Sequence, residues 1–169
     1  FKDLKPNYLI ITNLTKDQPP RQINIDVVYE DILKSIPKET TIITTIDEPY
    51  LENFSLDLKN PHIHYSIAKN KYSYKKQIFE NLNTYYCPKC DHLLEYQYYN
   101  FESLGKYNCT NPNCSFKYKE PQYLGKKLDL KNGTIEIANN TIKIGGNMLY
   151  HAYNALAAYT VLSELELPL

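Results

Sequence analysis

The amino-acid sequence predicts an α/β fold that carries an inserted zinc ribbon with four cysteines. In the first half of the chain, short apolar segments rich in β-branched residues alternate with helical segments, as in a largely parallel sheet covered by helices. In the second half, all four cysteines of the chain lie within one tyrosine-rich stretch. We therefore divide the chain into the first part of an α/β domain at 1–84, the ribbon at 85–121 and the remainder of the domain at 122–169.

Three strands and two helices are predicted before the cysteines. The strands are apolar runs with β-branched residues, and the first helix has apolar residues at helical spacing. The second helix is short and begins with two acidic residues and a proline, which are favourable at a helix N-terminus. In order, the elements are a strand at 8–12, a helix over Ile25, Val28, Ile32 and Ile36, a strand at 41–46, a helix that starts at 47–50, and a strand at 62–67.

Three further strands and a closing helix are predicted after the cysteines. Lys131-Asn-Gly133 favours a hairpin turn, because asparagine and glycine both tolerate positive φ. The last segment has the apolar spacing of an amphipathic helix. In order, these elements are strands at 123–130, 134–137 and 141–144, and a helix at 150–165.

The charge balance and hydropathy of the chain exclude some functional classes. Nineteen basic and nineteen acidic residues give a net charge of zero, which argues against a protein that mainly coats nucleic acid or an anionic membrane. No apolar run approaches the roughly 20 residues of a membrane span, and no signal peptide is visible, so a cytoplasmic location is expected. The chain begins at Phe1 and its only methionine is Met148, so we read it as a piece of a longer protein.

The four cysteines form two close pairs, Cys87-Pro-Lys-Cys90 and Cys109-Thr-Asn-Pro-Asn-Cys114. Each pair can place two thiolates on a tight turn, and two facing turns make a tetrahedral zinc site. Two disulfides or four unrelated buried thiols are the alternatives, but paired cysteines without a secretory signal favour a metal. Since four sulfurs leave no open position, the zinc is expected to be structural, with His92 a solvated neighbour. We expect chelation to unfold 85–120 and to leave the sheet largely intact.

The closing helix contains Asn154 and three alanines, at 155, 157 and 158. An asparagine amide can pair with the edge of adenine, and alanines allow close packing on a sheet. From the residues alone, helix capping by Asn154 and ordinary packing by the alanines are the favoured explanation. However, Asn154-Ala-Leu-Ala-Ala158 resembles the Asn-x-Leu-Ala-Ala signature of the Mur ligase family, whose asparagine contacts the adenine of ATP.

Two further segments resemble the MurT branch of that family. Thr12-Asn-Leu-Thr-Lys-Asp-Gln18 is similar to its Thr-Asn-x-x-x-Asp-Gln stretch, and Tyr86–Tyr96 is similar to the first half of its inserted four-cysteine ribbon. The resemblance implies part of the central, P-loop ATPase-like domain. The chain departs from the branch at Pro20, at Ile23-Asn24 and at His151, which are positions near the nucleotide and metal contacts that the resemblance implies.

The resemblance also implies a function for the longer protein. MurT-type subunits are ATP-dependent carbon–nitrogen ligases of peptidoglycan synthesis. They amidate the D-glutamate of lipid II to D-isoglutamine with ammonia from a GatD-like glutaminase partner, in contact with a membrane-bound substrate. The implied cofactors are structural Zn²⁺ in the ribbon, and ATP with Mg²⁺ in the full-length protein. The implied nucleotide-binding residues are Asn154, His151, Asn13, Asp17 and Gln18, and the implied zinc ligands are Cys87, Cys90, Cys109 and Cys114.

No catalytic residue is expected within this chain. It contains no Gly-x-x-x-x-Gly-Lys-Ser/Thr phosphate loop, which the resemblance places upstream, so the isolated chain is predicted to be inactive. The ribbon is expected to lie away from the nucleotide.

A non-catalytic ribbon that binds nucleic acid or a protein partner is the alternative function. Lysines and aromatic residues that could contact phosphates and stack on bases are interleaved in the ribbon. The neutral chain instead favours tyrosines buried as the core of the ribbon, and no nucleic-acid partner is expected. These residues are Lys89, Lys106, Lys117, Lys119, Tyr96, Tyr98, Tyr99, Phe101 and Tyr107.

Overall fold

The computed structural model describes residues 4–13, 25–78 and 85–168, and it contains every predicted helix and strand. The observed boundaries differ from the predicted ones by at most two residues. The elements are β1 Tyr8–Ile11, α1 Ile25–Ser35, β2 Thr41–Thr45, α2 Pro49–Asp57, β3 His62–Ile67, β4 Leu94–Phe101, β5 Leu104–Cys109, β6 Tyr123–Asp129, β7 Thr134–Ile137, β8 Asn140–Lys143 and α3 Leu149–Glu164.

The main sheet has six strands in the order β1-β2-β3-β6-β7-β8. The first four strands are parallel, and β7 and β8 are added in antiparallel hairpins. The remaining two strands, β4 and β5, form a separate antiparallel sheet and lie between β3 and β6 in the sequence. The prediction of a mixed α/β fold with a mostly parallel sheet is therefore confirmed.

Helices cover both faces of the main sheet. On one face Ile42 packs with Leu51 and Phe54 of α2. On the opposite face Ile43 packs with Leu156 of α3. Because neighbouring residues of a strand point to opposite faces, a strand covered on both sides must be apolar or small throughout. This explains why β2 has a continuous run of isoleucine and threonine rather than an alternating pattern.

Two tight turns connect the antiparallel strands of the main sheet. In the predicted turn at 131–133, Gly133 has φ +62° and the Asp129 carboxylate accepts the Lys131 backbone N–H at 3.0 Å. The loop between β7 and β8 has φ +46° at Ala138 and +68° at Asn139, as a two-residue type I′ turn requires. An alanine in this conformation is strained, because its Cβ approaches the following carbonyl oxygen.

To cross a bilayer, the helices of the described ranges would need to be both long and apolar. None of them meets both requirements for crossing a membrane.

Candidate metal site and the carboxyl edge of the sheet

The four cysteine sulfurs converge on one point. All four Sγ atoms lie within 4.8 Å of one another, with Cys87 and Cys114 3.8 Å apart and Cys90 and Cys109 3.4 Å apart. The thiols are free, and these separations are far longer than the roughly 2.05 Å of a disulfide. A tetrahedral site with Zn–S near 2.3 Å would place its sulfurs about 3.8 Å apart. The cysteine geometry therefore suits a single four-sulfur metal site.

Backbone amides support each sulfur in the same way. The N–H of the residue two positions after each cysteine is directed at its Sγ, which stabilises a thiolate by charge-assisted hydrogen bonding. Both turns thus present sulfur with its lone pairs already partly satisfied. The four donors are Lys89 to Cys87, His92 to Cys90, Asn111 to Cys109 and Phe116 to Cys114.

The two turns place their thiols in different surroundings. The His92 backbone N–H lowers the pKa of Cys90 to about 6, whereas burial raises the pKa of Cys87 to about 12. A bound divalent cation would stabilise both thiolates and release their protons. The His92 side chain is exposed, and its Nδ1 lies 2.9 Å from the Cys90 carbonyl oxygen. As predicted, His92 stays outside the cluster of sulfurs.

Several aromatic side chains within residues 85–121, here called the cysteine module, form a small core of the module's own. Tyr107 is fully buried and stacks on Phe116 at 5.8 Å between ring centroids, and Tyr96 stacks on Tyr99 at 4.1 Å. Stacking covers one face of each of these rings, and Tyr107 and Phe116 are buried, so these faces are not open to a base. This arrangement favours the buried-core interpretation of the tyrosines over a nucleic-acid surface.

The cysteine module is attached to the end of the main sheet where β2 and β3 have their carboxyl termini. The Tyr107 hydroxyl donates to the Ile46 carbonyl at 3.1 Å, and the Gly105 N–H donates to the Asp47 carbonyl at 3.0 Å. The Asn100 amide donates to the Ile67 carbonyl at 2.7 Å. The module thus donates hydrogen bonds to backbone carbonyls at the carboxyl ends of two central strands.

Asp47 lies at this junction and is completely buried. Its Oδ1 accepts the Ser66 hydroxyl at 2.7 Å and the Tyr118 hydroxyl at 2.8 Å. Its Oδ2 accepts the Tyr153 hydroxyl at 2.7 Å and the Ile67 N–H at 3.2 Å. Burial raises the pKa of Asp47 to about 6, although these four donors oppose the rise. Near pH 7 the group is therefore mainly a carboxylate, and these hydrogen bonds hold it in place.

Two glutamates follow Asp47 at the start of α2. Glu48 is the N-cap residue and accepts the Leu51 N–H, and burial raises its pKa to about 7. Glu52 is fully buried, 2.8 Å from His64 Nε2 and 3.2 Å from Lys119 Nζ. Burial alone would raise the pKa of Glu52, but these two partners outweigh it and hold the pKa below its usual range. Lys119 thereby links the exit of the cysteine module to α2.

The predicted nucleotide-binding residues are only partly placed by the structure. Asn13 is exposed and follows the carboxyl end of β1. Asp17 and Gln18 lie outside the described residues. Asn154 is exposed in the second turn of α3, whereas His151 caps the helix, because its Nδ1 accepts the Met148 N–H at 3.3 Å. The capping interpretation considered for Asn154 therefore applies to His151.

A groove runs along α3 next to Ala155, the residue that follows Asn154. It has a volume of about 550 Å³ and runs between strand β8 and the face of α3 that carries Ala155, Ala158 and Tyr159. Asn154 and Ala158 are one turn apart and share a helix face. Asn154 itself is not among the residues that line the groove, whereas Ala158 on the same helix face is.

The cysteine module also contacts α3. Asn100 Nδ2 lies 3.3 Å from the hydroxyl of Tyr153, the residue before Asn154. Sequence reasoning missed Asp47, Tyr118 and Tyr153 as a group. One signal was present: Asp47 directly follows an apolar strand at its carboxyl end, where α/β sheets place functional polar groups.

No protein-family model matches the chain. It is 29% identical over 171 residues to the lipid II isoglutaminyl synthase (glutamine-hydrolyzing) subunit MurT of Staphylococcus aureus, strains COL and N315, covering 99% of this chain and 37% of each relative. It is 30% identical over 165 residues to the subunit of the same name from Streptococcus pneumoniae strain ATCC BAA-255/R6, covering 94% of this chain and 35% of the relative. The chain therefore spans little more than a third of these relatives. The resemblance predicted from the motifs is confirmed: over nearly its whole length, this chain is similar to one segment of the MurT subunit.

Proposed function

We propose that this chain is a segment of the central ATPase domain of a MurT-type subunit, in an enzyme that amidates lipid II during peptidoglycan synthesis. The observation that supports this most strongly is similarity to MurT subunits along almost the entire chain. The three matching motifs and the four-sulfur cluster agree with it. ATP with Mg²⁺ would supply phosphoryl activation of the D-glutamate carboxylate, and a GatD-like glutaminase would supply ammonia.

The cysteine module is proposed to be a zinc ribbon, and its zinc to be structural. The candidate ligands are four thiol sulfurs, which would fill a tetrahedral coordination sphere and leave no position for an exchangeable ligand. Each sulfur also accepts a hydrogen bond from a backbone N–H. Such a site stabilises the fold of a small module and offers no position for substrate. We propose that the ribbon extends from residue 85 to residue 121.

Metal titration tests this proposal. The apoprotein should bind one Zn²⁺ per chain, and Cys114→Ser should reduce the affinity by at least about tenfold, because serine is a poor ligand for zinc. Ser115→Ala beside it serves as a matched control, since Ser115 is exposed and is no part of the cluster. A stoichiometry of zero, or equal affinity in wild type and Cys114→Ser, would contradict the assignment.

Asn154 is proposed to contact the adenine of ATP from the exposed face of α3, next to the groove lined by Ala155 and Ala158. Its amide can both donate and accept, as the edge of adenine requires. His151, Asn13, Asp17 and Gln18 are proposed as neighbours of the nucleotide, with His151 acting from its capping position.

Substitution of Asn154 tests the nucleotide assignment in the full natural protein. Asn154→Ala should weaken ATP binding by about tenfold, since one to two hydrogen bonds of roughly 1 kcal/mol each are lost. The control is Glu166→Gln, an exposed change beyond the far end of α3. Unchanged ATP affinity in Asn154→Ala, with normal folding, would refute the role of Asn154.

The isolated 169 residues are proposed to lack ligase activity, because a phosphate loop is missing from their sequence. Turnover of ATP and lipid II by this chain alone, after metal repletion, would refute that expectation.

A binding function for the cysteine module is the second candidate. Exposed Tyr86 and Leu93 beside its first turn favour a protein partner over nucleic acid.

A further inference from the structure

One buried carboxylate joins three parts of the fold that are far apart in the sequence. Asp47 follows β2, and its hydroxyl donors are Ser66 of β3, Tyr118 of the cysteine module and Tyr153 of α3. The three donor distances are between 2.7 and 2.8 Å. The main sheet, the module and the helix therefore meet at the two oxygens of a single side chain.

The arrangement is specific for a carboxylate. Its partners are three hydroxyls and a backbone N–H, all of which can donate, and an ionised carboxylate only accepts. Ser66 Oγ and Tyr118 Oη also lie 2.8 Å apart, so these two hydroxyls form a hydrogen-bonded group with Asp47 Oδ1. An asparagine at this position would offer one accepting oxygen, and its NH₂ group would face hydroxyl groups already directed at it. A buried charge at a junction costs stability unless its hydrogen bonds are complete. The main effect of this group is therefore to specify one geometry, and its net contribution to stability is small.

The position of Tyr153 connects this junction to the exposed side of α3. Tyr153 is 5% exposed and points into the core, while Asn154, the next residue, points outwards. Consecutive helix residues are about 100° apart around the axis, so holding the Tyr153 hydroxyl fixes the rotation of the helix and the direction of Asn154. Asp47 has no exposed surface itself and so cannot touch a nucleotide.

We propose that Asp47 is a positioning residue that holds helix α3 in register with the metal-bound cysteine module, through Tyr153 on one oxygen and Tyr118 on the other. Folding of the module around its metal then sets the orientation of the exposed face of α3. The consequence for ATP binding rests on the proposed function of Asn154, whereas the consequence for the helix itself does not.

A double-mutant cycle in the zinc-loaded full natural protein tests this proposal. Tyr118→Phe removes only the hydroxyl of the module, and Tyr153→Phe removes only that of the helix. The matched control is Tyr123→Phe, whose hydroxyl donates to Glu164 at the other end of α3 at 2.8 Å without involving Asp47. The readouts are hydrogen exchange of the α3 amides and the dissociation constant for ATP.

Coupling between the two tyrosines is the expected result. The effects of Tyr118→Phe and Tyr153→Phe on α3 exchange should be non-additive by at least about fivefold, whereas Tyr123→Phe and Tyr153→Phe should be additive. Additive effects in the first pair, or equal coupling in both pairs, would overturn the proposal, because a merely structural role predicts no special pair. If the wild type does not bind ATP, the proposed function is refuted. The hydrogen exchange of the α3 amides would then still test the positioning role of Asp47.

Discussion

The buried Asp47 carboxylate makes the stability of the protein depend on pH in a direction opposite to that of most acidic residues. Burial raises its pKa to about 6 from the ordinary value of 3.8. Between these values the unfolded chain has released the proton and the folded chain keeps it. Stability therefore falls as pH rises through this window, and the loss is complete above the folded pKa.

The size of this effect follows from the two pKa values. A difference of about two units corresponds to about 3 kcal/mol, of which about 2 kcal/mol is lost between pH 4.5 and 7.5. The groups that face Asp47 are the hydroxyls of Ser66, Tyr118 and Tyr153, with Tyr65 and Tyr98 further away. Burial raises the pKa of each of these tyrosines, so none of them titrates in this range.

Asp47→Asn isolates this contribution. Urea unfolding of wild type and Asp47→Asn at pH 4.5 and 7.5, with equal zinc content, gives the free-energy difference between the two proteins at each pH. The stability of the wild type relative to the variant should fall by about 2 kcal/mol between the lower and the higher pH. Glu48 contributes in the same direction and Glu52 in the opposite one, but both are present in the two proteins and cancel. A constant difference, or one that grows with pH, would refute the reasoning.

Two further predictions concern the backbone. Gly105→Ala should destabilise the protein by about 3 kcal/mol in thermal unfolding, because a Cβ would lie 2.2 Å from the Tyr98 carbonyl oxygen, whereas exposed Asn108→Ala in the same strand should change little. A loss for Gly105→Ala no larger than that for Asn108→Ala would contradict this. Ala138→Gly should stabilise by about 1 kcal/mol, since glycine removes the strain at φ +46°, and a loss of stability would show that the turn is unstrained.

Local patterns predicted the elements of the fold well, because each depends on residues close in sequence. Strand β3 was expected at 62–67 and is observed as His62–Ile67, and the turn before β7 follows from the positive φ that Gly133 accepts. The cysteine cluster was predictable for the same reason, since the spacing within each pair fixes a local turn. The β7–β8 turn was less apparent, because Ala138 is not a residue that favours positive φ.

The junction at Asp47 could not be predicted in this way. Its partners Tyr118 and Tyr153 lie 71 and 106 residues away along the chain, and no periodicity relates them. The sequence pattern indicates only that Asp47 is an acidic residue at the start of α2. Glu48 in fact provides that cap, which leaves Asp47 free to turn into the core.

These contacts change what metal removal should do to the molecule. The cysteine module is too small to bury much of its own surface, so it depends on its metal and on its attachment to the sheet. If the module unfolded alone, Asp47 would lose the Tyr118 hydroxyl while remaining in an apolar surrounding. A buried carboxylate with incomplete hydrogen bonds is costly, and the ends of β2 and β3 would also lose the donors Tyr107 and Asn100. Loss of the metal should therefore loosen the carboxyl edge of the sheet and α3 together with the module, and not the module alone as the sequence had suggested.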